Sequence, residues 1–260
     1  MQGQSEMESF TVTKIRENIR ETTKDQVAEE VPFTLNLAEK ELLTLLCSPF
    51  DLEDLVRGLL FTSGLIKSLS EIKRITIDSQ RWSCYIEVAN REAEDLMFKR
   101  LYTSGCGRGT VFYNALDIMH RAKITSAFKI NSAAVSGLML AFQKRSEVYL
   151  KTGGVHSAAV ADKERILAFR EDIGRHNAID KVIGYALSQN KAFEDKILIT
   201  SGRISSEVVF KVKKCGMPMI ISRAAPTNQA IKLAKDMGIT AAGFVRCSRM
   251  NIYSGEERII

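Results

Sequence analysis

The chain has 260 residues, 45% hydrophobic and 26% charged, a balance that excludes wholesale disorder and allows one large core or two small ones. Its formal net charge of +6 is compatible with an anionic partner and equally with a plain basic surface. The polar start Met-Gln-Gly-Gln-Ser-Glu is no secretory signal, and no stretch approaches the about 20 apolar residues of a membrane span, so the expected setting is the cytoplasm, without membrane contact.

In chain order, residues 1–28 are dominated by Glu, Lys, Thr and Gln and read as a mobile or partly helical tail. A first α+β region follows over 29–125. Pro32–Leu37 and Glu41–Cys47 read as a short hairpin. Asp51 is placed to cap a helix with acidic Glu53 and Asp54 in its first turn, an apolar stripe of Leu55, Leu59 and Leu60, and a stop at Gly64. Glu71–Asp78 and Trp82–Val88 alternate as a second strand pair. An amphipathic helix over Arg91–Tyr102 leads into Thr103-Ser-Gly-Cys-Gly-Arg-Gly-Thr110, the sharpest break in the chain.

The second region, 126–260, opens with a helix capped by Ser132 and striped by Val135, Leu138 and Phe142. Val155–Ala161 and Arg165–Phe169 form a hairpin around Asp162-Lys-Glu164. Ile179, Val182, Ile183, Ala186 and Leu187 mark a packed helix. From there strand and helix alternate: Lys196–Thr200, Ser205–Cys215, Met217–Ser222, a helix over Pro226–Met237 with proline in its first turn, and Ile239–Val245. That alternation predicts a parallel sheet covered by helices.

Five cysteines are scattered without a C-x-x-C pair, which argues against a disulfide framework and against a tetrahedral zinc site. Cys47, Cys84 and Cys215 sit in apolar or helical context and read as core residues. Cys106 differs. Gly-Cys-Gly is poor core material, and glycines let backbone N–H groups converge; with Arg108 beside it, the thiolate form is favoured. A thiolate on an open loop can take a group from a donor and pass it on.

In an open α/β sheet, ligands bind beyond the carboxyl ends of the strands. Those ends read Ser201-Gly-Arg203, Ser222-Arg223-Ala-Ala-Pro-Thr227 and Phe244-Val-Arg-Cys-Ser-Arg249. A single arginine at a loop end is usually just solvated. Three such ends, two leading into helix N-termini, point to a phosphate or pyrophosphate of a nucleotide-like ligand. His156 and His176 fit binding, proton-handling or loop-holding roles equally. Asp172 and Asp180 read as caps or ion-pair partners of Arg175 and Lys181. No aromatic-interleaved basic stripe is present, so nucleic-acid binding is not expected.

Four motifs in order now carry a resemblance. Thr152-Gly-Gly-Val-His-Ser-Ala158, Glu171-Asp-Ile-Gly-Arg-His-Asn-Ala-Ile-Asp-Lys-Val-Ile-Gly184, Thr200-Ser-Gly-Arg-Ile-Ser-Ser-Glu207 and Ser222-Arg-Ala-Ala-Pro-Thr227 resemble the FdhD family of sulfur carriers required for formate dehydrogenase. The likeness runs from about Glu29 onward and includes Gly58-Leu-Leu-Phe-Thr-Ser-Gly-Leu-Ile66.

The resemblance implies that a cysteine desulfurase loads a persulfide on Cys106. It implies transfer of that sulfur to the molybdenum or tungsten of a bis(molybdopterin guanine dinucleotide) substrate. It places the dinucleotide on Phe244, Val245, Arg246, Cys247, Ser248 and Arg249, beside Arg203 and Arg223, and suggests a homodimer. The alternative is a chaperone that holds this cofactor without handling sulfur covalently. Many members carry Cys-Gly-x-Cys in the loop; here the run is Cys106-Gly-Arg-Gly109, which excludes a two-thiol relay inside it. The implied fold is α/β, with a three-layer C-terminal domain like that of cytidine deaminases beside the smaller N-terminal region. The H-x-E and P-C-x-x-C motifs of zinc deamination are absent from the sequence.

Overall fold

A computed structural model describes residues 6–37, 40–89 and 122–260. The expected helix over Arg91–Tyr102, the glycine loop and Cys106 lie outside the described residues.

The first 28 residues hold a surprise. Strands β1 (Met7–Arg16) and β2 (Ile19–Ala28) pair antiparallel in register along their whole length, where a mobile or partly helical tail was expected. The polar composition reads as a tail, but the run Ser9-Phe-Thr-Val-Thr13 is β-branched and aromatic, and Glu17–Asn18 make a tight turn with both residues at positive φ.

Strands β3 (Val31–Leu37), β4 (Lys40–Cys47), β5 (Ile72–Asp78) and β6 (Ser83–Val88) form a four-stranded sheet in the order β4-β3-β6-β5. The two expected hairpins are joined through a parallel β3–β6 pairing. Helix α1 (Leu52–Thr62) covers this sheet. Val31, Phe33, Leu35 and Leu37 of β3 meet Leu55, Val56, Leu59 and Leu60 of α1 in one core. Asp51 stands at the N-cap of α1, but its side chain does not cap. It is held at φ 53° and its carboxylate is 3.1 Å from the Arg170 guanidinium.

The second sheet has six strands: β7 (His156–Ala161), β8 (Ile166–Asp172), β9 (Ile197–Thr200), β10 (Met219–Ser222), β11 (Thr240–Arg246) and β12 (Arg249–Ser254), in the order β12-β11-β10-β9-β7-β8. Strands β9, β10 and β11 are parallel, as the alternation predicted; β7, β8 and β12 run against their neighbours. Because side chains alternate along a strand, Val160, Leu198 and Ile220 face one way and Ala159, Ile199 and Ile221 the other. The first face is covered by α4 (Arg175–Ser188), α5 (Ser206–Cys215) and α6 (Asn228–Met237). The second is covered by α2 (Ser132–Lys144) through Val135, Leu138, Met139 and Phe142. A short helix α3 (Glu147–Thr152) follows α2.

Three expected boundaries move. The cap of α2 is Asn131, whose side chain accepts the Ala133 N–H at 2.8 Å, so Ser132 is already helical. The cap of α6 is Thr227, which leaves Pro226 just outside the helix. Strand β8 runs past the expected Phe169, with Glu171 and Asp172 at its end.

The two sheets are fastened through α1 and α4. A Cβ on Gly58 would lie 1.8 Å from the Asp180 carbonyl oxygen, and one on Gly184 would lie 1.9 Å from that of Asp54. Only glycine at both positions lets the helices approach so closely.

Candidate functional site

The carboxyl ends of β9, β10 and β11 and the start of β7 meet at one sheet edge. There a cavity of about 650 Å³ opens, lined by Arg203, Arg223 and Arg246, with Phe244, His156, Ser201 and residues of α3 on its walls. Among the described residues no carboxylate lines it. Three guanidinium groups, with no lining acid among the described residues, make a positive concavity, the electrostatic requirement of a polyanionic ligand.

Short-range bonds fix the loops that carry these arginines. The Gly202 N–H donates to Thr200 Oγ1 at 3.1 Å, and the Ser222 hydroxyl donates to the Gly202 carbonyl at 2.6 Å. Ser222 Oγ in turn accepts the Ala224 N–H at 2.9 Å, and the Phe244 N–H donates to the Ala224 carbonyl at 3.2 Å. Phe244 is held at φ 54° and is 40% exposed, so a strained backbone places an aromatic residue at the opening. Tyr149 and Leu150 of α3, likewise exposed, make the facing apolar rim. No sequence signal marked them, since α3 is too short to show a periodic stripe. Its N-terminus is pinned by Glu171, whose carboxylate accepts the N–H groups of Val148 and Tyr149 at 3.2 and 3.3 Å.

The expected ligand segment is divided by the structure. Phe244 and Arg246 reach the cavity with Arg203 and Arg223. Val245 is fully buried in the core beneath α2. Cys247 and Ser248 form the turn into β12, with Cys247 exposed at φ 47°, and Arg249 pairs back with Arg246; none of these three lines the cavity. The sequence reading ended at β11 and missed β12, which makes this segment a hairpin.

The two histidines separate as well. His156 Nδ1 lies 3.1 Å from Ser201 Oγ, which also accepts the Ser157 N–H. Burial, helped by the nearby Arg175 charge, lowers its pKa, so it faces the cavity as neutral imidazole. His176 lies behind the edge, 3.3 Å from Ser205 Oγ and 3.3 Å from Glu207 Oε2. Burial pushes its pKa down to about 3 and pushes the Glu207 carboxyl up, so their contact is a hydrogen bond and not an ion pair.

The acids of the 171–181 motif are used for architecture. Asp172 pairs with Lys181 at 2.7 Å, as an ion-pair reading expected, and accepts the Ser48 N–H at 3.1 Å across the sheets. Asp180 pairs not with Lys181 or Arg175 but with Lys211 of α5, at 2.5 Å, and accepts the Thr62 hydroxyl at 2.7 Å. Arg175 instead packs under Gly202.

Cys47 and Cys84 are buried, and burial pushes both thiols up to about 12; Cys215 is raised further for the same reason. None is a nucleophile at neutral pH. Among the described residues no group of histidine, cysteine or carboxylate side chains could hold a metal ion, and no helix is long and apolar enough to cross a membrane.

Comparison with known sequences agrees with the motif string: the FdhD/NarQ family matches residues 28–260. The chain belongs to the FdhD/NarQ family. Relatives from Bacillus subtilis and Geobacillus kaustophilus, both named sulfur carrier protein FdhD, are 42% and 39% identical over 91% of either chain. A similarly named Staphylococcus aureus relative is 38% identical over 92% of this chain. A solved structure from Desulfotalea psychrophila, described as a candidate formate dehydrogenase accessory protein, covers 98% of this chain at a TM-score of 0.81 and 25% identity. The FdhD/NarQ motifs thus account for two different things here. The 171–181 motif builds the joint between the sheets, and the 200–207 and 222–227 motifs build the cavity edge.

Proposed function

We propose that this chain is a cytoplasmic sulfur carrier, a sulfurtransferase that serves a formate dehydrogenase. The observation that carries the reading is the arginine cavity, with no lining carboxylate among the described residues, at the sheet edge where the family motifs converge. It suits the pyrophosphate of a guanine dinucleotide, and Phe244 suits its planar ring. The substrate is the molybdenum or tungsten cofactor carrying two such dinucleotides, with Arg203, Arg223, Phe244 and Arg246 as the side chains that hold it. Val245 supports the edge from below, and the Cys247–Arg249 turn frames it. The names of the relatives support the sulfur-carrying role.

The sulfur step is assigned to Cys106 on its family position and its glycine setting. Its thiolate attacks the outer sulfur of a persulfide on a cysteine desulfurase. One S–S bond forms on Cys106, the donor's breaks, and the donor leaves as thiolate. With no second cysteine in 106–109, a further thiol of external origin can attack the Cys106 sulfur, forming a mixed disulfide and releasing sulfide to the substrate. The sheet order β8-β7-β9-β10-β11, with a helix layer on each face, also supports a cytidine-deaminase-like ancestry for the scaffold.

Incubation with a desulfurase and cysteine, followed by intact-mass analysis and peptide mapping, tests the reading. One added sulfur on Cys106, removable by dithiothreitol, is the expected result. Guanine-nucleotide binding with no sulfur gain, together with full dehydrogenase activation by Cys106→Ala, would establish the non-covalent chaperone reading instead, which the preformed cavity favours.

A further inference from the structure

One histidine on the cavity wall is seated so that its ring can carry one proton or two. Alternation along β7 puts His156 on the α4 side of the sheet with Ala158 and Val160, at the strand start where the cavity opens. Its partner is fixed by the backbone. The Ser201 N–H donates to the Ser157 carbonyl, and the Ser157 N–H donates to Ser201 Oγ, each at 3.0 Å. The hydroxyl oxygen is thereby held 3.1 Å from His156 Nδ1.

A hydroxyl has one hydrogen to give and two lone pairs to fill. At Ser201 one lone pair takes the Ser157 N–H. While the ring is neutral, the hydroxyl hydrogen goes to Nδ1 and the ring's own proton sits on Nε2. When the ring is charged, Nδ1–H donates to the second lone pair and the hydroxyl turns away. Both states use the same contact, so a proton is gained by rotation of one O–H bond with the ring in place. In both states Nε2 carries a hydrogen. Nε2 has no hydrogen-bond partner among the described residues and is not sealed from solvent, so it is open to the cavity that His156 lines.

The charges around the ring are mostly positive. Arg175 opens α4, Arg203 follows β9, Arg223 follows β10 and Arg246 ends β11. The facing acid is Asp172, the ladder partner of His156 on β8, and it is already matched by Lys181 at 2.7 Å. From α2 and α3 the cavity receives Gln143, Ser146 and the Tyr149 phenol, all uncharged. His176 of α4, with its pKa pushed down to about 3, stays neutral near neutral pH. Burial first and the Arg175 charge second hold the His156 pKa below its ordinary value of 6.5, against the opposing pull of Asp172. A polyanion bound among the arginines offsets their charge and brings negative charge beside the ring, and both changes favour the imidazolium.

We infer that His156 is a ligand-holding residue of this cavity: Nε2–H donates to a phosphate oxygen, and Nδ1 takes up a proton from solvent as the anion binds, with Ser201 turning to accept it. This role rests on the reading of the cavity as a pyrophosphate site, and it makes binding there tighter as pH falls. The effect is confined to the window between the lower pKa of the empty cavity and the higher one of the occupied cavity. Above both no proton is taken up, and below both the ring is already charged. Within the window, one proton changes affinity by at most about tenfold per pH unit.

GDP-mannose is the probe, because its pyrophosphate is a diester, as in the cofactor, and its charge is constant over about pH 5.5 to 8. Isothermal titration of the full chain near about pH 6.5, in two buffers of different ionisation enthalpy, counts the protons exchanged. The wild type should take up part of one proton per site. His156→Gln, which keeps a neutral donor and cannot titrate, should take up none. Wild-type affinity should rise from about pH 8 to about pH 5.5, and the His156→Gln profile should be flat. The chain has three histidines, so their ring Cε1–H signals are few. The signal missing from His156→Gln should titrate at higher pH with saturating GDP-mannose than without it. Binding with no proton uptake by the wild type, or uptake that survives in His156→Gln, would overturn the role of His156 and leave the pyrophosphate cavity standing. No binding of GDP-mannose at any pH would overturn both. The two-buffer titration of the wild type needs no variant, so a His156→Gln chain that failed to fold would not shield the proposal.

Discussion

The joint between the two sheets and the cavity edge use charge in opposite ways. At the joint the buried charges come in matched pairs, Asp172 with Lys181 and Asp180 with Lys211, all essentially without solvent contact. At the cavity the guanidinium groups of Arg203, Arg223 and Arg246 gather with no lining carboxylate among the described residues to neutralise them. A buried charge must carry its partner with it, because desolvation is too costly otherwise. An open cavity can leave charge uncompensated, since water screens it until a ligand arrives. The difference separates groups that hold the fold from groups available for binding, although both lie in family motifs.

The sharpest way to break this contrast is to remove one partner at the joint. Lys211→Met leaves Asp180 buried with Thr62 as its one side-chain donor among the described residues, and should cost about 3–5 kcal/mol in urea unfolding. The double variant Lys211→Met with Asp180→Asn should recover most of that loss. At the cavity the pattern should invert. Arg223→Gln or Arg203→Gln should weaken guanosine diphosphate binding by about 1.5–3 kcal/mol, the range for a hydrogen bond to a charged group, while leaving the unfolding midpoint in place. Isothermal titration beside thermal melts reads both. Equal losses of stability from both kinds of variant would erase the distinction.

A packing change of intermediate size tests the joint without charge. Gly184→Ala drives a methyl group into the Asp54 carbonyl and should cost about 1–3 kcal/mol by overpacking, despite the better helix propensity of alanine. The smallest effect is a pH slope. The His176 pKa is depressed to about 3 in the folded chain against an ordinary value of 6.5. Its contribution to stability is therefore complete above pH 6.5 and is lost progressively as pH falls toward 3, by at most about 1.4 kcal/mol per pH unit. Glu171 and Glu207, whose pKa values are raised, act in the opposite sense as pH falls. His176→Gln should flatten the acid side of a stability profile measured by chemical denaturation between pH 7 and 4.

Most of the elements were legible because their periods are strong. The 3-, 4- and 7-residue spacing of Ile179, Val182, Ile183 and Ala186 placed α4, and the short runs Lys196–Thr200 and Met217–Ser222 placed two central strands. The arm was not legible. Its strands bury almost nothing, so the polar alternation looked like a tail; β-branching and a tight turn form it. The β12 strand was hidden because Arg249–Ser254 is an edge with few buried residues. At the site, Arg203, Arg223, Phe244 and Arg246 could be read as residues that follow strands. Tyr149 and Leu150 could not, since they reach the cavity only through the fold of α2 onto the sheet.

The sequence by itself determined the family, the alternating sheet and helices of the second half, and the gathering of arginines at strand ends. These are local facts of period, spacing and residue type. Only the tertiary structure decided which acid meets which base, that Val245 turns into the core while its neighbours face the cavity, and that Gly58 and Gly184 bring two helices nearly into backbone contact. Those outcomes depend on which surfaces are buried together, and burial is a property of the packed chain and not of any segment in it.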